Sequence, residues 1–176
     1  MRIIAGSIKG RRLASPAAEE LTVRPTSDKA REALFSILSA GPQCAFLDLF
    51  AGTGAVGLEA WSRGFQPVTC VESAPRAVKL LRANCVGTDV RIMGTDALRL
   101  EPDAFSGLGL VFADPPYDQA TRSLEALAPR ILRWLARDGR LVWENSAQEA
   151  IAVPEGFRLI DRRRYGAAAF HFLVPY

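Results

Sequence analysis

The stretch LDLFAGTGAVGLEA, residues 47–60, constrains the fold of this chain more than any other. Apolar residues lead into a turn holding Gly52, Gly54 and Gly57, and an apolar helical pattern follows at once. Strand, tight glycine turn and helix in that order open a βαβ unit. The remaining chain keeps the alternation. AFLDLF, VTCVES, VRIMGTD, LGLVFADPP and RLVWENS read as strands, and AVGLEAWSRG, APRAVKLLRANC and TRSLEALAPRILRWL as helices between them, the last with a break expected at Pro129. After Pro154 come two strands with no room for a helix, FRLIDRRRY and AAFHFLVPY, joined near Gly166. The pattern predicts an α/β fold, a mostly parallel seven-stranded sheet with an antiparallel hairpin at its C-terminal edge and helices on both faces.

Residues 1–23 read as a small β-hairpin arm around Gly6–Gly10, and residues 24–176 as the main domain. A helix is expected from Ser27, its N-cap, to Leu38, with Ala30, Leu34, Ile37 and Leu38 on one face and Gly41-Pro42 ending it. Residues 1–31 hold seven basic groups against three acidic ones, so the excess positive charge belongs to the N-terminal region; residues 32–176 carry 15 against 16. Such asymmetry fits a polyanionic partner as well as a solvated tail, and Lys9, Arg11 and Arg12 are the candidate phosphate contacts. The run Arg162, Arg163, Arg164 is a weaker candidate, because a solvated edge strand accounts for it equally well.

Several classes drop out. No apolar run is long enough for a membrane span, and MRIIAGSIKGRRL lacks the apolar core of a signal peptide, so a cytoplasmic protein is expected, and it is read as a monomer. Cys44, Cys70 and Cys85 are odd in number and widely spaced; Cys44 and Cys70 fall in expected strands as small reduced residues. With His171 as the one histidine, no metal-ligand cluster can be drawn. His171 reads as a strand residue, and Trp61, Trp134 and Trp143 as core.

The glycine turn places a ligand at the carboxyl ends of the strands. Its spacing, with Glu72 about 20 residues beyond the first glycine, also fits a dinucleotide fingerprint. Asp48, inside the strand before the turn, opposes that reading, since a pyrophosphate beside it would be repelled and a sulfonium attracted. The second and third strands end at Glu72 and Asp96. Carboxylates at successive strand tips suit a ligand rich in hydroxyl and amine donors, and S-adenosylmethionine answers that description better than NAD.

The fourth strand ends in Asp114, Pro115, Pro116 and Tyr117. A carboxylate and a proline carbonyl side by side can accept from the two N–H groups of an exocyclic amine and aim its lone pair. Both stabilise the positive charge that grows on nitrogen in the transition state, and the aromatic ring can stack on an extruded base. An N-cap aspartate with a proline turn is the plainer alternative. Glu144, at the end of the fifth strand, could line the same pocket or be a solvated strand end.

DLFAGTG, the strand-end Glu72 and Asp96, and DPPY together resemble class I S-adenosylmethionine-dependent N-methyltransferases. RIIAGSIKGRRL, VRPTSDKAREALFSIL, LDLFAGTGAVGLEAWSRG and VFADPPY further resemble the bacterial 16S ribosomal RNA guanine-N2 methyltransferase family, RsmD, along essentially the whole chain. The resemblance implies a Rossmann-like class I methyltransferase fold and methyl transfer to guanine 966 of 16S ribosomal RNA. The substrate would be free RNA or an assembling small subunit. It implies that Asp48, Phe50, Gly52, Thr53 and Gly54 hold the methionine end of the cofactor, Glu72 its ribose and Asp96 its adenine amine. Arg24, Pro25 and Thr26 would close over the site, and Asp114, Pro115, Pro116 and Tyr117 would carry catalysis. Methylation of another nucleic acid, such as adenine in DNA, and a nonenzymatic RNA-binding assembly factor are the competing readings.

Overall fold

A computed structural model describes residues 1–16, 28–38 and 44–176. The expected alternation is present: α1 (Asp28–Leu38), β1 (Phe46–Leu49), α2 (Ala55–Ser62), β2 (Val68–Val71), α3 (Pro75–Asn84), β3 (Arg91–Met93), β4 (Leu108–Ala113), α4 (Ala120–Trp134), β5 (Leu135–Ser146), β6 (Phe157–Tyr165) and β7 (Ala168–Pro175). The seven strands form one sheet in the order β3-β2-β1-β4-β5-β7-β6. The first five strands pair in parallel, and β7 enters antiparallel between β5 and β6. The expected C-terminal hairpin is therefore present, with its last strand turned inward and β6 left at the edge.

Side-chain alternation along the strands builds two apolar layers. Phe46, Cys70, Phe112, Val142 and Phe170 face the α1 and α2 side, while Leu47, Val71, Val111, Trp143 and Leu173 face α4. β1 lies between β2 and β4, so the chain runs outward through β2 and β3 and then returns to the other side of β1. This reversal opens a crevice at the carboxyl ends of β1 and β4, the usual ligand position in open α/β sheets.

Three local expectations are corrected. Pro129 does not break the last helix: α4 runs unbroken from Ala120 to Trp134. Leu124, Leu127, Ala128, Ile131 and Trp134 bury one face, whereas Pro129 and Glu125 are exposed. The carbonyl that loses its N–H partner thus faces water, and packing of the buried stripe outweighs the proline. Cys44 precedes β1 instead of lying within it, and all three cysteines are free thiols. Trp134 and Trp143 are fully buried as expected, but Trp61 is half-buried, its indole N–H donating to Asp89. The proposed N-cap Ser27 and the terminator Gly41-Pro42 lie outside the described residues.

Among its described residues the N-terminal arm has a single antiparallel bridge, Arg2 to Arg12, where two strands were expected. It is packed into the main body: Ile3 and Leu13 belong to the α2-side core. The backbone amides of Ile4 and Ala5 donate to the Glu59 carboxylate at 2.7 and 3.0 Å. Ser7 N donates to the Ser62 carbonyl, and Asn84 bonds both the amide and the carbonyl of Ala14. Glu59 also pairs with Arg63 at 2.7 Å and faces the buried Arg31 at 3.9 Å. Arg31 in turn donates to the Arg2 carbonyl at 2.5 Å.

Candidate functional site

Four strand ends converge on the crevice. After β1, Phe50 adopts a left-handed backbone (φ 62°), uncommon for a residue with a side chain, and Gly52 and Gly54 follow at φ 56° and 82°. The three glycines serve different ends. Nothing lies within 4 Å of where a Gly52 Cβ would project, so its glycine meets a backbone need. A Cβ on Gly54 would lie 2.3 Å from Leu81 Cδ1, and one on Gly57 2.3 Å from Cys70 Sγ, so these two let α2 pack closely. Thr53 is half-buried, and its carbonyl accepts from Asn84 at 2.9 Å.

Asp48 is 2% exposed and accepts from the Gly57 amide at 2.8 Å. Burial drives its carboxyl well above the ordinary carboxylate range; the Gly57 hydrogen bond opposes this, and the charges of Asp114 and Glu72 add to it. Glu72 follows β2 and ties two loops together: one oxygen accepts from Gly52 N at 2.7 Å, the other from Ser73 N and Ala74 N at 2.9 and 2.8 Å. Asp96 caps a 3-10 turn at Ala97–Arg99, accepting from Leu98 N at 2.9 Å.

Asp114 stands directly after β4, its amide donating to the Leu49 carbonyl at 3.4 Å, so the DPPY segment borders the glycine turn. Pro115 is buried, Asp114 and Pro116 are half-buried, and Tyr117 is 39% exposed. The phenol of Tyr117 is pushed up to about 12, first by burial and then by the charges of Glu144 and Asp114, and so stays neutral. Asp48, Asp114 and Tyr117 are thus brought together at the switch point, with Glu72 and Asp96 along the β2–β3 side. Arg24, Pro25 and Thr26 lie outside the described residues. Lys9 and Arg12 are exposed, and Arg11 is half-buried, its guanidinium on the Val86 carbonyl at 2.7 Å.

Glu144 is 3% exposed, which excludes a solvated strand end. The last β4–β5 pair is Ala113 with Trp143, so Glu144 is the next residue beside Asp114. Burial of a charged strand end shows only once β7 covers β5, and no local pattern in RLVWENS signals it. Glu59, the anchor of the arm, was also missed. Its signal was legible: one carboxylate in the otherwise uncharged, largely apolar stretch AVGLEAWS. The arginine run serves the fold at two positions. Arg162 donates to the carbonyls of Ala147 and Glu149 at 3.1 and 3.0 Å, and Arg163 pairs with Asp161 at 2.8 Å. His171 is buried on β7 beside Asn145 Oδ1, at 2.9 Å, in keeping with a strand role. Among the described residues no cluster of histidine, cysteine and carboxylate could hold a metal. No described helix is long and apolar enough to cross a membrane.

A family model described as Conserved hypothetical protein 95 matches residues 1–174. The chain belongs to this RsmD-like family. It is 33% identical to the ribosomal RNA small subunit methyltransferase D of Escherichia coli, over 97% of this chain and 87% of that protein. The solved structure of a Thermus thermophilus hypothetical protein superposes with a TM-score of 0.82 at 30% identity, covering 100% of this chain and 99% of that one. A TehB-like SAM-dependent methyltransferase of Corynebacterium glutamicum, 15% identical, shares the fold alone, at a TM-score of 0.63 over 83% of this chain and 88% of its own. The RsmD-like chain is therefore a class I methyltransferase in architecture, as its sequence implied.

Proposed function

We propose that this protein transfers a methyl group from S-adenosylmethionine to the N2 amine of a guanine in 16S ribosomal RNA, in the cytoplasm. The observation that carries this reading is the position of Asp114-Pro115-Pro116-Tyr117 at the tip of β4, hydrogen-bonded to β1 where Asp48 and the glycine turn stand. The relatives named as ribosomal RNA methyltransferases support the substrate class.

The residues present fit the cofactor. Asp48 is a buried carboxyl in need of a cation, and a sulfonium beside it would restore its charge. Glu72 keeps acceptor positions beyond its three amide bonds, because an ionised carboxylate offers about four. Open space stands where a Gly52 side chain would project. Asp48, Phe50, Gly52, Thr53 and Gly54 would hold the methionine end, Glu72 the ribose hydroxyls and Asp96 the adenine amine, with Arg24, Pro25 and Thr26 closing the site. When bound, the cofactor supplies an electrophilic methyl carbon.

The chain supplies position and charge. The exocyclic amine of guanine is a poor nucleophile because its lone pair is delocalised into the ring. The Asp114 carboxylate and Pro115 carbonyl accept its two N–H groups, and Pro116 holds the turn that aims them. Both acceptors act more strongly as nitrogen gains positive charge. Asp114 or solvent takes the released proton. Tyr117, neutral and half-exposed, stacks on the extruded base. Lys9, Arg11 and Arg12 draw in the phosphates.

Mass mapping of methylated nucleotides, after incubating naked ribosomal RNA or assembled subunits with enzyme and cofactor, tests the reading. Methyl on guanine N2 is expected; methyl on adenine, or none, would overturn it. Asp114→Ala should abolish transfer and leave cofactor affinity nearly intact.

A further inference from the structure

Helix α3 and the end of β3 enclose a groove of about 360 Å³, lined by Ser73, Pro75, Val78, Lys79, Arg82 and Gly94. It borders the cofactor side of the crevice without belonging to it. Ser73 follows Glu72 and Gly94 precedes Asp96 by two residues, yet neither acid, nor the glycine turn, lines it. Lys79 and Arg82, one turn apart on α3, are exposed, and neither has an ion-pair or hydrogen-bond partner among the described residues.

Gly94 makes the groove more than a charged helix face. Its φ is not positive, so no turn demands glycine there. The nearest atoms to a Cβ on it would be Val78 at 3.7 and 3.9 Å and the Arg82 guanidinium at 3.9 Å, which are ordinary contacts. The fold therefore has room for a Cβ at 94, and its absence leaves the groove floor open under Arg82. The arm reaches the same flank: Arg11 is fastened to the Val86 carbonyl, two residues past the end of α3.

From this arrangement we infer that the groove seats a nucleotide of the RNA substrate flanking, but not adjoining, the target base, its phosphate on Lys79 and Arg82. Pro75 and Val78 offer an apolar wall to the sugar, and Ser73 adds a hydroxyl donor. Two unpaired cations over an apolar floor suit an anion carried on a partly apolar body, which is what a nucleotide is. The cations lie outside the arm and extend its positive surface to the edge of the cofactor site. The inference rests on the reading of this protein as an RNA methyltransferase.

Three full-length variants test it by binding to a transcript of small-subunit ribosomal RNA at several salt concentrations. Lys79→Ala/Arg82→Ala should weaken binding about tenfold and reduce the salt slope by ~0.7, the value for one phosphate on a single strand. Gly94→Leu fills the groove without changing charge, and should weaken binding comparably while leaving thermal stability and S-adenosylmethionine affinity unchanged. Arg122→Ala/Arg133→Ala removes the same charge from exposed positions of α4 on the opposite sheet face, and should leave affinity within about twofold. Equal losses in both double variants, or full affinity in Gly94→Leu, would overturn the groove while leaving the methyltransferase reading intact. Loss of cofactor affinity in Gly94→Leu would assign the groove to the cofactor and equally overturn the inference. No methylation of any transcript or subunit by the unaltered protein would overturn the proposed function instead, and the groove with it.

Discussion

Replacing Glu59 by alanine should loosen the N-terminal arm and weaken the whole fold, because one carboxylate accepts three hydrogen bonds and faces a buried arginine. Its oxygens accept the amides of Ile4 and Ala5 at 2.7 and 3.0 Å, bind Arg63 at 2.7 Å and face Arg31 at 3.9 Å. The side chains of Glu59 and Arg31 are fully buried, and that of Arg63 is 21% exposed. Loss of Glu59 leaves the two arm amides without acceptors and Arg31 with only the half-exposed Asp28, at 3.0 Å, as an ionic partner among the described residues, and costs about 3–5 kcal/mol. For a domain of this size that corresponds to a fall of roughly 6–20 °C in melting temperature. Calorimetry of Glu59→Ala measures it, and limited trypsin digestion locates it, since Lys9, Arg11 and Arg12 offer cleavage sites within the arm. Faster cleavage there, with weaker RNA binding, is expected to accompany the lower melting temperature. Unchanged melting and unchanged cleavage would refute the argument that Glu59 fastens the arm.

Gly57→Ala puts a methyl 2.3 Å from Cys70 Sγ and should cost about 1–3 kcal/mol by overpacking. Cys70→Ala in the same chain should recover most of that in a double-mutant cycle by denaturant unfolding, and additive losses would sink the steric account. Asp48→Asn keeps an acceptor for the Gly57 amide and removes a carboxyl whose pKa is raised in the fold, a penalty that grows as pH rises above the ordinary carboxylate range. The variant should therefore melt higher than the parent at pH 7 and bind S-adenosylmethionine more weakly; calorimetry reads both. Burial, and secondarily Arg162, lower the pKa of His171 from 6.5 to about 4. Because the unfolded chain takes up the proton first, its stabilising contribution is complete above pH 6.5 and is lost as pH falls toward 4, at up to about 1.4 kcal/mol per pH unit. Denaturation of the parent and of His171→Gln at pH 7.5, 6 and 5 should converge as pH falls, and parallel curves would show that His171 does not drive the loss.

Much of the architecture was legible because it is written in local order. Strand-turn-helix alternation with one dominant glycine turn leaves few topologies, and the absence of a helix after Pro154 forces an antiparallel return. The misjudged places are those where packing outweighs a local rule. Pro129 reads as a breaker, yet the buried stripe from Leu124 to Trp134 carries the helix through it. The arm reads as an appendage because RIIAGSIKGRRL is basic and glycine-spaced, but Ile3 and Leu13 reach the core and Glu59 waits for their neighbours' amides. Glu144 could be read either way until β7 was seen to cover its strand.

The chemical groups at the strand ends are readable along the chain alone: Asp48 and three glycines at β1, Glu72 after β2, Asp96 after β3, and Asp114 with its prolines and Tyr117 after β4. That follows because a strand's end is a local property, set by where apolar alternation stops and glycine or proline begins. Their arrangement relative to one another emerges with the folded sheet. The β3-β2-β1-β4-β5-β7-β6 order sets Asp114 beside Asp48, lays Glu144 next to Asp114 under the cover of β7, and opens a basic groove where α3 meets a glycine that the backbone does not require. Neighbours across a sheet are distant in the chain, and their proximity is fixed by the burial of whole faces, which no short window of sequence records.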